Sequence, residues 1–204
     1  AIWTGLEMVV WGGYSNGASG SDATVGGGYA NDASGLDATV GGGRYNRARG
    51  NYSVVAGGGG LSSPDSNSAT GTYSAIGGGF QNHATGAQAV IGGGGANWAS
   101  GHESTISGGG SNQASNLCTS IGGGNYNWAI GMYATVGGGT GNRARGDYST
   151  VSGGGGAGLA DSNSASGDYS VIGGGRRNVA DGSYAEVSGG YTNRARGNYA
   201  TVAG

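Results

Sequence analysis

Runs of two to four glycines recur at nearly constant spacing along this chain, and this recurrence restricts the fold more than any other feature. Aligned on the glycines, the sequence divides into thirteen repeats, with ten intervals of fifteen residues and two of twenty-one. Three consecutive glycines would each cost about 1 kcal/mol inside a helix, so helical repeats are excluded. The repeats begin at Met8, Ala23, Ala38, Ser53, Ser74, Ala89, Ser104, Thr119, Ala134, Ser149, Ser170, Ala185 and Ala200.

Large apolar side chains are too scarce here for a conventional hydrophobic core. Of 204 residues 53 are glycine, and only 26 are Leu, Ile, Val or Phe. Burying so little apolar surface cannot offset the conformational entropy of so many glycines. The low net charge of −2 argues against disorder, so the sequence predicts a periodic structure in which equivalent residues stack.

A period of fifteen residues is too short for helical repeats or propeller blades and fits one coil of a parallel β-solenoid. We therefore predict an all-β solenoid of about thirteen coils forming a single domain over residues 1–204. Coil positions 1–5 and 8–12 are expected to be strands, and the glycines at positions 5–7 and 13 to supply left-handed corners. Six-residue insertions near 60–66 and 156–162 lie 96 residues apart and predict equivalent surface loops.

The alternation of small and branched residues predicts which side chains point inward. Position 1 is mostly Ala or Ser, position 3 is Val or Ile, position 9 is Asn and position 11 is Ala. Glycine is frequent at position 4, which indicates a close backbone neighbour there, and we interpret this neighbour as a second chain. The predicted core column contains Val25, Val40, Ile76, Ile91, Ile106, Ile121 and Val136, and the predicted asparagine ladder contains Asn31, Asn46, Asn82, Asn97, Asn112 and Asn127.

Arginine pairs and insertion loops are the candidate binding features of the surface. Guanidinium groups in pairs could hold an acidic polysaccharide or nucleic acid, and the pairs are Arg47 and Arg49, Arg143 and Arg145, and Arg194 and Arg196. The alternative is ion pairing with Asp37, Asp147 or Asp181 on neighbouring coils. Asp65 and Asp161 lie in the two insertions, and loops commonly carry binding residues. Nine Arg against eleven acidic residues give no basic field for nucleic acid.

No residue pattern indicates catalysis, so we predict a protein that is not an enzyme and has no cofactor or metal. The glycine runs lack the Lys of a phosphate-binding loop, and no repeat has the Asp of a calcium-binding roll. His83 and His102 occupy different coil positions without further metal ligands. Cys118 is a single thiol in a column where seven repeats have Tyr.

The segment YATVGGGTGNRARGDYSTVSGGG, residues 133–155, resembles the head repeats of YadA-like trimeric autotransporter adhesins. The resemblance extends over residues 8–204. It implies a left-handed parallel β-roll, three chains around a shared core, and an adhesive role at the cell surface. The chain departs from that family in its fifteen-residue coil, its glycine triplet, and the absence of a coiled-coil stalk and membrane anchor.

These observations predict a structural subunit of an extracellular or cell-surface filament or adhesive fibre, whose partners are copies of itself. Ala1–Glu7 and Ala200–Gly204 together nearly make one coil, which suggests head-to-tail stacking. Neither a signal peptide nor a membrane-inserting segment is expected. One alternative is an adhesin head that binds surface glycans. Another is an ice-binding solenoid, whose flat array would lie at position 2: Val9, Thr24, Thr39, Val54, Ala75, Val90, Thr105, Ser120, Thr135, Thr150, Val171, Glu186 and Thr201.

Overall fold

A computed structural model of the chain describes residues 9–156 and 158–204. These residues form a parallel β-solenoid of about twelve coils, and each coil contributes one two-residue strand to each of two faces. The predicted fold class is thereby confirmed. The chain divides into two compact units, Ala1–Glu103 and Ser104–Gly204, which we call the N-terminal and C-terminal units.

The N-terminal unit contains two parallel sheets built from alternate strands. A 3₁₀ turn at Ser63–Asp65 occupies its insertion. The first sheet has strands β1 (Val9–Val10), β3 (Thr24–Val25), β5 (Thr39–Val40), β7 (Val54–Val55), β9 (Ala75–Ile76) and β11 (Val90–Ile91). The second has β2 (Gly17–Ala18), β4 (Asp32–Ala33), β6 (Arg47–Ala48), β8 (Ser68–Ala69), β10 (His83–Ala84) and β12 (Trp98–Ala99).

The C-terminal unit repeats this arrangement, with a 3₁₀ turn at Leu159–Asp161 in its insertion. Its first sheet has strands β13 (Thr105–Ile106), β15 (Ser120–Ile121), β17 (Thr135–Val136), β19 (Thr150–Val151), β21 (Val171–Ile172), β23 (Glu186–Val187) and β25 (Thr201–Val202). Its second has β14 (Gln113–Ala114), β16 (Trp128–Ala129), β18 (Arg143–Ala144), β20 (Ser164–Ala165), β22 (Val179–Ala180) and β24 (Arg194–Ala195).

Strand register within each unit places equivalent coil positions beside one another. Val25 pairs with Val40 in the first sheet, and Ala144 pairs with Ala165 in the second although an insertion separates them. The insertions therefore leave the coil as loops and do not shift the pairing. Because a parallel sheet stacks identical residues in this way, each coil position becomes a column along its unit.

The core of each unit is a thin layer of small side chains between the two sheets. Positions 1 and 3 point inward from the first sheet, and positions 9 and 11 from the second. All seven residues of the Val/Ile column named above are at most 1% exposed, as are the six asparagines of the ladder. The alanines at position 11 have little volume, so the two sheets can lie close together.

The corners of the coil differ from the prediction. Position 6 glycines such as Gly43, with φ of 88°, are left-handed as expected. The glycines at position 13 are not, and the second corner instead uses a left-handed residue with a side chain at position 15, such as Tyr148 with φ of 58°. Position 13 is glycine for another reason, since a Cβ at Gly35 would lie 2.1 Å from the Gly50 carbonyl oxygen of the next coil.

Glycine at position 4 also has a cause within one chain. A Cβ at Gly26 would lie 2.4 Å from the carbonyl oxygen of Gly41, one coil further along, and Gly137 has the same relation to Ser152 at 2.3 Å. The close backbone neighbour expected at this position is therefore the next coil of the same chain. These glycines do not by themselves require a second chain.

Candidate functional surface

The asparagine ladder lies in the interior, where its side chains form hydrogen bonds with the backbone. The Nδ2 group of Asn46 donates to the carbonyl of Gly42 in its own coil at 2.8 Å and to that of Gly58 in the next at 2.9 Å. Its backbone N–H donates to Oδ1 of Asn31 at 2.9 Å. Direct amide–amide bonds also occur, for example from Asn82 to Asn67 at 3.2 Å. Each side chain therefore satisfies buried backbone groups at the glycine corner.

In the C-terminal unit the same three contacts recur. Asn127 donates through Nδ2 to Gly123 and Gly139, both at 2.9 Å, and its Oδ1 accepts the backbone N–H of Asn142 at 3.0 Å. The donors and acceptors of these buried amides are already satisfied by groups of the solenoid itself. The ladder is consequently part of the scaffold, and a ligand would have to bind elsewhere.

The first arginine pair lies on the outer face of the second sheet in the N-terminal unit. Arg49 forms an ion pair with Asp32 at 2.9 Å, rather than with Asp37 as one alternative expected. Arg47 donates to Ser66 Oγ at 3.2 Å and to Ser63 Oγ, so it ties the insertion loop to the sheet. Both guanidinium groups therefore have partners within the chain.

The second arginine pair makes different contacts in the C-terminal unit. Arg143 lies over the ring of Trp128, with its Cζ 4.9 Å from the ring centroid, and Arg145 donates to Ser164 Oγ at 3.4 Å. Asp147, one of the expected partners, instead accepts the backbone N–H of Met132 at 2.8 Å. Asp181, the third expected partner, lies 3.9 Å from Arg194 Nη2 on the adjacent coil, so this expected ion pair is present.

The aspartates of the insertions anchor their loops. Asp65 accepts hydrogen bonds from Ser62 Oγ at 2.8 Å and from Gln81 Nε2 at 2.9 Å. A Cβ at Gly60 would lie 2.0 Å from Asp65 Cβ, so the glycine lets the loop fold back onto this carboxylate. Asp65 is therefore bonded both within its own loop and to the following coil.

In the second insertion, Asp161 joins a charged cluster. Its carboxylate lies 2.8 Å from Arg177 Nε and 3.7 Å from Arg176 Nη1. Both guanidinium groups lie over the ring of Tyr191, whose hydroxyl accepts a bond from Arg177 at 2.8 Å. The positive charge of Arg177 lowers the pKa of Tyr191, and hydrogen bonding from Thr192 adds to this.

A column of stacked tyrosines on the C-terminal unit is the most regular surface feature, and we call it the tyrosine ladder. Successive ring centroids are 4.8, 4.8, 4.8 and 5.0 Å apart, and the ring planes are within 6° of parallel. The members all occupy coil position 15 and are 42–73% exposed. They are Tyr133, Tyr148, Tyr169, Tyr184 and Tyr199.

Carboxylates lie beside the tyrosine ladder. Asp168 Oδ1 accepts the backbone N–H of Asp147 at 3.0 Å, so acidic side chains bridge adjacent coils at position 14. The pKa of Tyr169 is raised, first by burial and then by the neighbouring tyrosines and these two aspartates. The column of tyrosines was visible in the sequence, but ring stacking follows only from the coil register. Among the described residues of the N-terminal unit, Tyr52 and Tyr73 stack at position 15 at 4.7 Å, and Tyr14 and Tyr29 stack at position 7 at 5.4 Å.

The remaining surface candidates are mixed in chemistry. Position 2 of the C-terminal unit carries Thr135 and Thr150, but then Val171 and Glu186, so a threonine array is interrupted. His83 lies 4.7 Å from Trp98, and its pKa is lowered by burial and by the charge of Arg47.

The described residues contain no group of three His, Cys, Asp or Glu side chains arranged to hold a metal ion. Within 9–156 and 158–204, no helix has the length and apolarity needed to cross a membrane. No protein-family model matches the chain, and a search of curated proteins finds no similar sequence.

Proposed function

We propose that the protein is a structural subunit of an extracellular or cell-surface fibre, assembled from copies of itself. The observation that carries the proposal is the use of the most regularly repeated residues. The asparagine at position 9 and the glycine at position 13 serve the contact between one coil and the next, as Asn46 and Gly35 illustrate. In a chain built in this way the regular contacts serve the stacking of equivalent coils and do not shape a single binding pocket.

The resemblance to YadA-like adhesin heads supports the same role and adds the expectation of several chains packed side by side. It also keeps a glycan-binding head as a second candidate. The contacts of the arginine pairs weigh against that candidate, because Arg49 pairs with Asp32 and Arg47 is bonded to loop serines. A glycan carboxylate would have to displace these partners.

The test is assembly of the purified chain. Light scattering after size exclusion and electron microscopy should show multimers that grow with concentration, and oriented material should diffract at about 4.8 Å along the solenoid axis. A particle that stays monomeric at high concentration would overturn the proposal. Glycan-array binding that Arg143→Gln and Arg145→Gln abolish would favour the adhesin head, and thermal hysteresis would favour the ice-binding solenoid.

A further inference from the structure

The tyrosine ladder occupies a backbone conformation that tyrosine does not favour. Tyr133, Tyr148, Tyr169, Tyr184 and Tyr199 have φ of 58° or 59°, in the left-handed region where a Cβ is penalised. At the other corner glycine has this conformation at position 6, as at Gly139 with φ of 87°, and residues with side chains have it at position 8, as at Tyr126 with φ of 57°. Local backbone preference therefore does not explain five successive tyrosines at position 15, so their side chains require a separate explanation.

The exposed parts of these rings are their edges and hydroxyl groups. Tyr148, Tyr169 and Tyr184 each have a parallel ring on both sides within 5.0 Å, yet 45%, 44% and 49% of each residue is exposed. Since the neighbouring rings cover the faces, the remaining surface is the outer edge. The ladder thus presents a row of phenol edges, including the carbons ortho to the hydroxyl.

We propose that the tyrosine ladder is a site of oxidative cross-linking between copies of this chain, with a peroxide and a haem peroxidase as the oxidant. Each of two phenols loses one electron and one proton to become a phenoxyl radical. The radicals join through their ortho carbons, and each ring regains aromaticity by moving its ortho hydrogen to oxygen. Two hydrogen atoms have left the tyrosine pair, and one hydrogen peroxide has become two waters.

Coil geometry directs this bond to a second chain. Neighbouring rings in the ladder are nearly parallel and translated by one coil, so their equivalent ortho carbons are about 4.8 Å apart, far beyond a carbon–carbon bond. Coupling two ladder rings of one chain would require both side chains to rotate out of the parallel stack, as for Tyr148 and Tyr169 at 4.8 Å. A ladder on a second copy has free edges at the same spacing and no such restraint.

The surroundings of the ladder favour oxidation there over other exposed tyrosines. The negative charges of Asp147 and Asp168 act on Tyr169, where they favour loss of an electron from the ring and oppose loss of the proton alone, so the electron and the proton leave together. Five stacked phenols can also share one oxidising equivalent, which prolongs the time available for a second copy to arrive. This proposal does not require that the protein form fibres.

The experiment treats the purified full chain with peroxidase and hydrogen peroxide. Covalent dimers are measured on reducing gels, dityrosine by fluorescence, and the linked residues by mass spectrometry. The test variant replaces all five tyrosines of the ladder with Phe, which keeps the rings and removes the phenols. The matched control makes the same change at five exposed tyrosines outside the ladder, Tyr14, Tyr52, Tyr73, Tyr126 and Tyr191.

We expect the ladder variant to lose most of the covalent dimer, while the control retains the wild-type yield and both keep the wild-type circular dichroism. Linked peptides should contain ladder tyrosines from two chains, and dimer yield should fall on dilution. Cross-links concentrated at the five control tyrosines would overturn the proposal. Dityrosine fluorescence that remains in monomers at every dilution would also overturn it, because coupling would then occur within one chain.

Discussion

Replacing Gly146 with Ala should be far more damaging than an exposed glycine-to-alanine change normally is. Gly146 occupies position 13, and a Cβ there would lie 2.1 Å from the carbonyl oxygen of Gly167 in the next coil. Real Cβ contacts essentially never fall below 3.0 Å, so the two coils must separate locally by about 1 Å. Two hydrogen bonds cross this gap to the carbonyl of Ala165, from Arg145 N–H at 2.8 Å and from Gly146 N–H at 3.3 Å.

Separation of that size breaks both hydrogen bonds and leaves a buried acceptor without a partner. At about 1 kcal/mol for each bond, with a further cost for the unpaired carbonyl, the loss in unfolding free energy is about 2–4 kcal/mol. Gly153→Ala is the matched control, because a Cβ at Gly153 meets nothing within 4 Å and its φ is not left-handed. That change should be neutral or stabilising by up to about 1 kcal/mol.

Urea denaturation and thermal melting of the two variants against the parent chain would measure the difference. Hydrogen exchange would locate it, since the amides of Arg145 and Gly146 should lose protection in Gly146→Ala alone. Equal melting temperatures for Gly146→Ala and Gly153→Ala would refute the argument that glycine at position 13 is required by the approach of the next coil.

The chain itself contains one exception at this position. Asn116 replaces the glycine in its coil, and the turn bond from Thr119 N–H to the Asn116 carbonyl is 3.4 Å long. The equivalent bonds at Gly131 and Gly146 are both 3.2 Å. The turn within this coil is therefore longer where a side chain is present, while the bond to the next coil, from Ser115 N–H to the Ala129 carbonyl, is 3.0 Å.

Three further changes test other parts of the structure. Ile106→Asp should lower the unfolding free energy by about 4 kcal/mol, whereas Thr105→Asp on the outer face should change the melting temperature little; equal effects would show that the inward face is wrongly assigned. Asn127→Ala removes three hydrogen bonds and should cost about 3 kcal/mol in urea denaturation, and an unchanged midpoint would contradict the scaffold role of the ladder. Arg177→Gln should raise the pKa of Tyr191 in an ultraviolet titration, because the arginine charge lowers it. In the parent chain the lowered pKa of Tyr191 adds stability as the pH rises towards the ordinary tyrosine pKa, and Arg177→Gln should remove that gain. A tyrosine titration that does not move would mean that the cation–ring contact does not persist in solution.

Periodicity was sufficient to predict the solenoid and its interior because stacking equivalent residues is a property of the repeat itself. Once Val40 is placed inward, Val25 and Val55 must follow, since a parallel register keeps coil positions aligned. The asparagines at position 9 were predicted to form a ladder on the same ground. Their main acceptors, the glycine carbonyls at the corner, could not be read from a list of side chains.

The corners and surface contacts were less predictable because they depend on the distance between coils. The local sequence does not distinguish a glycine that is needed for a left-handed φ, such as Gly43, from a glycine that is needed because a carbonyl of the next coil lies close, such as Gly35. The partner of Arg49 is similar, since Asp32 is remote in sequence but lies diagonally opposite on the adjacent coil. Column position predicts such pairs better than sequence distance does.

The division between invariant and variable columns indicates where function must lie. Positions 3, 9 and 11 are buried, and position 13 is closed by the next coil, so an external partner can meet only the outward columns. Most of these change chemistry from coil to coil, as the step from Val171 to Glu186 at position 2 shows. The tyrosine ladder differs, because tyrosine is repeated through five coils at a position whose left-handed backbone conformation is unfavourable for a residue with a Cβ. A repeated interaction along the solenoid needs a repeated group, and in the C-terminal unit the tyrosine ladder meets that requirement at an exposed edge.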